Sequence, residues 1–97
     1  MHGCAARIEL NGPPEGAVYN EVHQRLSSIG WKREIKGESG RWWKLPDAMY
    51  VGVSNESDVS QIQEWLTSTV DEVWPRNEVI VFRHDDAAWQ GLTQLRA

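Results

Sequence analysis

The hydrophobic spacing of this chain changes period several times, each time at a Gly, Pro or Asn signal, and that succession limits the folds open to it. Ala6, Ile8 and Leu10 alternate with Arg7 and Glu9, the period of a half-buried strand. The run Asn11-Gly12-Pro13-Pro14 ends that strand, and either proline suits the first turn of a helix with Glu15 near its positive end. Val18, Val22, Leu26 and Ile29 follow at helical spacing, Tyr19 flanks them, and Gly30 is a good stop. Residues 31–35 alternate again, with Trp31, Arg33 and Ile35 on one side. Residues 36–40 read as a hairpin loop, 41–45 as a return strand broken or bulged at Pro46-Asp47, and 49–53 as its extended continuation. Ser54-Asn55-Glu56-Ser57 is rich in N-cap types. A second stripe then runs through Val59, Ile62, Leu66, Val70 and Val73, with Trp65 beside it and Trp74 at its end. Pro75-Arg76-Asn77 breaks that helix, and 79–82 is a four-residue apolar run flanked by charges, consistent with a buried strand.

The resulting order, β-α-β-β-α-β, is the α+β, ferredoxin-like split βαβ pattern. It predicts one four-stranded antiparallel sheet with two helices on one face, in a single domain covering 1–97. Residues 1–4 are expected to fray. The tail, 84–97, reads two ways. Trp89, Leu92 and Leu95 are three apart, which suits a short helix, whereas 88–92 would suit an added edge strand. Trp42 and Trp43 are adjacent and must point to opposite faces of a strand, so one of them leaves the helix-covered core. Which one does so is not decided by spacing. The second sheet face is therefore expected to be partly buried, most simply in a homodimer.

Ninety-seven residues provide one modest core, and six Trp are more than such a core buries fully. No apolar run approaches the roughly 20 residues of a membrane span. The first ten residues lack the basic-then-apolar order of a secretory signal. The single cysteine, Cys4, cannot form an internal disulfide, which fits a reducing cytoplasm. The net charge of −4 disfavours nonspecific coating of nucleic acid.

Charge is unevenly distributed. The segment 31–44 holds Lys32, Arg33, Lys36, Arg41 and Lys44 together with Trp31, Trp42 and Trp43, and it carries +3 while the rest of the chain carries −7. These eight residues are the candidate binding surface. Trp and Arg are common at protein–protein hot spots, and cations beside an aromatic ring also suit an unpaired base and its phosphate. The plainer alternative is a twisted hairpin whose Trp pack the core and whose cations stay hydrated. The acidic residues of the second helix (Glu56, Asp58, Glu64, Asp71, Glu72) form a solvated face that would also complement the hairpin of a second copy. His84-Asp85-Asp86 is better read as a cap or turn than as a metal site, because neighbouring side chains diverge. His23 is expected at the edge of the buried stripe or in solvent. His2, His23 and His84 have no recognised metal spacing, and Cys4 has no identified His partner for catalysis. No metal and no cofactor are expected. Asn11-Gly12-Pro13-Pro14 lacks the Gly spacing and Lys of a phosphate loop.

The run Ile8-Glu9-Leu10-Asn11-Gly12, Tyr19, the Gly30-Trp31 turn and Lys44-Leu45-Pro46-Asp47-Ala48-Met49-Tyr50 resemble small proteins of enterobacteria and their phages. That group is similar to the GhoS antitoxin family of type V toxin–antitoxin systems, whose fold resembles the Cas2-type ferredoxin-like nucleases. The resemblance implies a cytoplasmic protein that binds or cleaves single-stranded RNA. Cas2-type nucleases place an Asp at the end of the first strand, one from each subunit, to hold a metal. This chain has Glu9 and Asn11 there, and Asn is a poorer ligand than a carboxylate for a hard cation. Glu9 and Asn11 are thus the catalytic candidates, with Arg33 and Arg41 as phosphate-facing cations. The leading expectation is a non-catalytic binding or regulatory module, dimeric, acting through protein contacts. An endoribonuclease or RNA-binding antitoxin is the alternative.

Overall fold

The computed structural model describes residues 2–12, 14–55, 58–84 and 87–96. It is a mixed α+β structure with two helices and two three-stranded antiparallel sheets. The first strand, β1 (His2–Leu10), is the central strand of the larger sheet. Its period-2 pattern places Cys4, Ala6, Ile8 and Leu10 in the core, each at most 8% exposed. Residues 2–4, expected to fray, are part of this strand, because Cys4 is fully buried and paired on both sides.

Helix α1 (Gly16–Ser28) buries Val22 and Leu26 and packs Val18 and Ile29 beside them. It starts at Gly16 rather than at Pro14, with Glu15 in an extended N-cap conformation, and Pro13 lies outside the described residues. Its end follows from Gly30, whose φ of +92° is a left-handed conformation that glycine adopts without a Cβ penalty. Gly30 N–H donates to the Ser27 carbonyl at 3.1 Å and Trp31 N–H to the Leu26 carbonyl at 2.8 Å, the pair of bonds that closes a Schellman cap. This reversal swings Trp31 back beneath the helix, where it is 1% exposed.

The next two segments, β2 (Glu34–Lys36) and β3 (Trp42–Lys44), form the hairpin, and β4 (Met49–Ser54) follows. Helix α2 (Val59–Asp71) is capped by Asp58, whose side chain accepts from Ser60 N–H at 2.9 Å, and it buries Ile62, Leu66 and Val70. Within 54–57, Glu56 and Ser57 lie outside the described residues. Strand β5 (Asn77–His84) completes the larger sheet in the order β4-β1-β5. Both helices contribute to the core on the even-numbered face of β1, and Arg25 links them through Glu72 at 2.6 Å.

The expected single four-stranded sheet is not what forms. The expected hairpin of 31–35 with 41–45 does form, in β2 and β3, but its pairing with the main sheet reduces to one bridge, Lys32 with Val51. Beyond it the hairpin turns away and makes a second sheet, β2-β3-β6, with β6 (Gln94–Arg96) supplied by the tail. The physical reason lies at Pro46. It cannot donate to a ladder, and the turn that follows places Ala48 at φ +68° with Met49 N–H bonded to the Pro46 carbonyl at 3.2 Å. The expected return strand is thereby divided, β3 to one sheet and β4 to the other. The tail is neither the short helix nor a strand at 88–92. Its strand lies further along, pairing Arg96 with Trp42 and Gln94 with Trp43.

Candidate functional site

The basic Trp-rich segment separates into three environments. Trp31 is not on the surface: it lies in the core against Gly52, where an added Cβ would come within 2.8 Å of the ring. On the hairpin, Trp42 pairs with Lys36 and Arg96, and both cations lie over its ring, at 5.9 and 4.7 Å from the centroid. Arg96 also forks onto Glu34 with bonds of 2.9 and 2.6 Å. That pair holds the Glu34 carboxyl below the usual carboxylate range. Lys44 reaches Asp47 at 3.2 Å, and Lys32 donates to the Ser27 hydroxyl at 3.0 Å. Several of the hairpin charges are thus engaged within the chain.

Trp43 lies on the other side of the hairpin, paired with Ile35. A cleft there is lined by Ile35, Gly37, Trp43, His84 and Trp89. The Trp43 indole nitrogen and the Trp89 ring both approach Gly37, at 3.5 and 3.3 Å from where its Cβ would stand. Of Trp42 and Trp43, therefore, neither enters the main core, and both remain half-buried. Arg41 is exposed at the hairpin.

Among the described residues the odd-numbered face of the larger sheet carries no helix. Register aligns Val51, Ala5 and Phe82 across three strands, with Met49, Arg7 and Ile80 in the next row and Val53, Gly3 and His84 on the other side. Val53, Ile80 and Phe82 are 62, 51 and 56% exposed, far more than a strand normally leaves for large apolar side chains. His84 lies over Gly3 and also lines the Trp43–Trp89 cleft, so the sheet face adjoins that cleft, whose lining also includes Lys36, Glu38 and Ser39. The polar margin has both signs: Arg7 is bonded to Glu9 at 2.6 Å, and Glu78 stands opposite Glu9.

The catalytic candidates are separated by their bonding. The Glu9 carboxylate is held by Arg7 through bonds of 3.1 and 2.6 Å. Asn11 acts through its backbone, donating to the Arg76 carbonyl at 2.7 Å and accepting from the Trp74 indole at 2.8 Å. Among the described residues no three His, Cys, Asp or Glu side chains come together as metal ligands. Asp85 and Asp86 of the His84-Asp85-Asp86 motif lie outside the described residues. Burial pushes the Cys4 thiol pKa up, so it is less readily ionised than an open cysteine.

One group escaped the sequence reading. His23 was placed at the edge of the stripe, and its Nδ1 lies 2.6 Å from the Tyr50 hydroxyl. Tyr50 is 2% exposed, and burial pushes its pKa up to about 12. Burial and then the nearby Arg33 charge lower the His23 pKa. The contact spans 27 residues and joins a helix to a strand, so no local pattern announces it.

No helix among the described residues is long and apolar enough to cross a membrane. No family model matches the chain, and neither a curated protein nor a solved structure was found similar to it.

Proposed function

We propose that this chain is a small non-catalytic binding module of the cytoplasm that pairs with a second copy of itself through the helix-free face of its larger sheet. The observation that carries this reading is the exposure of Val53, Ile80 and Phe82 on one face that, among the described residues, carries no helix. Three strands about 4.8 Å apart, of nine, six and eight residues, give that face a projected area of roughly 350 Å². A standard interface takes about 800 Å² from each partner. The adjoining Trp43–Trp89 cleft, with Lys36 and Glu38 at its edge, extends the available contact surface toward that size. A second copy fits better than a uniformly charged partner because the margin is self-complementary: across a two-fold axis, Arg7 can face the partner's Glu78.

In this reading the ferredoxin-like pattern is retained in divided form, the hairpin having left the main sheet to widen the docking surface. RNA binding, which the family resemblance implies, asks for an open aromatic ring and free cations on the hairpin. Trp42 already has two cations over its ring, and Arg96 is bound to Glu34. The hairpin geometry therefore supports protein contact better.

Size-exclusion chromatography with light scattering on the wild type and on Phe82→Glu tests the proposal. The wild type should show a concentration-dependent dimer. Phe82→Glu should be monomeric with an unchanged circular dichroism spectrum, since the side chain is more than half exposed. A wild type that stays monomeric at its highest workable concentration, or a variant that dimerises equally well, would refute it.

A further inference from the structure

A cleft of about 360 Å³ lies between α1, the second half of β1 and the turn at Asp47-Ala48. Ligand sites commonly have this size. Tyr19, Val22 and Ile8 give it apolar walls, and Arg33, His23 and the Tyr50 ring line it as well. Its other charged groups are Arg7, Glu9 and Asp47. Glu9 is bonded to Arg7 at 2.6 Å and Asp47 to Lys44 at 3.2 Å. Arg33 is then the one charge in the lining without an ion-pair partner among the described residues. It also lines the neighbouring groove, whose charged lining of Lys32, Arg33, Glu34 and Lys44 is net positive.

The hydrogen-bonding role of His23 follows from Tyr50. The phenol is buried and stays protonated, and its hydroxyl finds His23 Nδ1 as its partner. A buried O–H left without an acceptor is costly, so Tyr50 donates and Nδ1 accepts. The ring proton of neutral His23 is then on Nε2. Among the described residues no side-chain hydrogen bond engages Nε2 and no buried side-chain N or O atom lacks a partner, so Nε2 is accessible at the surface, where His23 lines both this cleft and the neighbouring groove. A guanidinium and an imidazole N–H thus line one cleft, both donors.

We infer that this cleft binds a small oxyanion, a phosphate or carboxylate group, held by the Arg33 guanidinium and the Nε2–H of His23, with Tyr50 setting the imidazole tautomer. Two donors, one of them charged and planar, match the acceptor-only oxygens of such a group. Arg7 borders both this cleft and the sheet face used in self-association, but the two donors, Arg33 and His23, belong to the cleft and not to that face, so each proposal can fail without the other.

The test is an NMR titration of the ¹⁵N-labelled full chain with inorganic phosphate and, separately, acetate, reading the His23 ring nitrogens. The expected result is saturable movement of the His23 Nε2 resonance and a rise in its pKa, since an anion favours the imidazolium. Phosphate alone moving it assigns a phosphate ligand, and acetate alone a carboxylate. Arg33→Gln should weaken binding roughly tenfold or more, the loss of one charge-assisted hydrogen bond. His23 signals that do not respond to either anion, or equal binding by Arg33→Gln, would overturn the proposal. The wild-type titration stands alone should the variant fail to fold.

Discussion

Replacing Trp31 by Ala should cost far more than any other change in the basic segment. Its ring is 1% exposed and lies on Gly52. A Trp buries roughly 150–250 Å², which at about 25 cal/mol per Å² gives an upper bound near 4–6 kcal/mol. Measured Trp→Ala losses in cores are about 3–5 kcal/mol. For a domain of this size the lower figure already lowers Tm by roughly 12 °C or more. Urea unfolding followed by circular dichroism measures this directly, without dependence on which of the six Trp dominates fluorescence. A second substitution makes the argument specific. The Cβ of Gly52→Ala would stand 2.8 and 2.9 Å from two Trp31 ring atoms, which forces overpacking of about 1–3 kcal/mol. In the Trp31→Ala background that clash is gone, so Gly52→Ala should become nearly neutral. A Trp31→Ala loss below about 1 kcal/mol, in the range of exposed substitutions, would refute the core placement. So would additive effects of the two changes.

Three further outcomes follow from named bonds. Gly30→Ala should lose about 1–2 kcal/mol in urea unfolding, because φ there is +92° although nothing lies within 4 Å of the added methyl group. Asp58→Ala should lose about 1 kcal/mol by removing the bond to Ser60 N–H, and Asp58→Asn or Asp58→Ser should restore most of it. The lowered His23 pKa makes the unfolded chain the better proton binder below pH 6.5, so this contribution is fully present above 6.5 and is lost as pH falls through the folded value. Urea midpoints measured from pH 8 downward should show that decline, and His23→Gln should reduce it.

The parts of the fold that were legible in sequence were those decided by local period. The parity of β1 identified Ala6, Ile8 and Leu10 as core, and both helical stripes named residues that are buried: Val22 and Leu26, then Ile62, Leu66 and Val70. The destination of the hairpin was not legible. Pro46 was recognised as a break, but whether a broken strand rejoins its sheet depends on the Ala48 turn and on competition for the open edge of β3, both long-range matters. The spacing of Trp89, Leu92 and Leu95 misled because all three residues of β6 are exposed, so burial imposes no alternation on them. Trp31 is a different case. A Gly at the position after the C-cap commonly sends the next apolar residue back onto the helix, and the Gly30-Trp31 pair carried that signal. The charges around it drew Trp31 into the candidate surface instead. The His23–Tyr50 contact and the unpaired Arg33 beside it needed the tertiary structure, since the turn at 46–48 is what brings Tyr50 under α1.

The account depends most on self-association through the helix-free face, and a dilution series of ¹H–¹⁵N spectra tests that most directly. Concentration-dependent shifts should cluster at Ala5, Val51, Val53, Ile80 and Phe82 and extend to Trp43 and Trp89, leaving α1 and α2 unmoved. Shifts confined to the helices, or spectra that do not change with concentration, would contradict it.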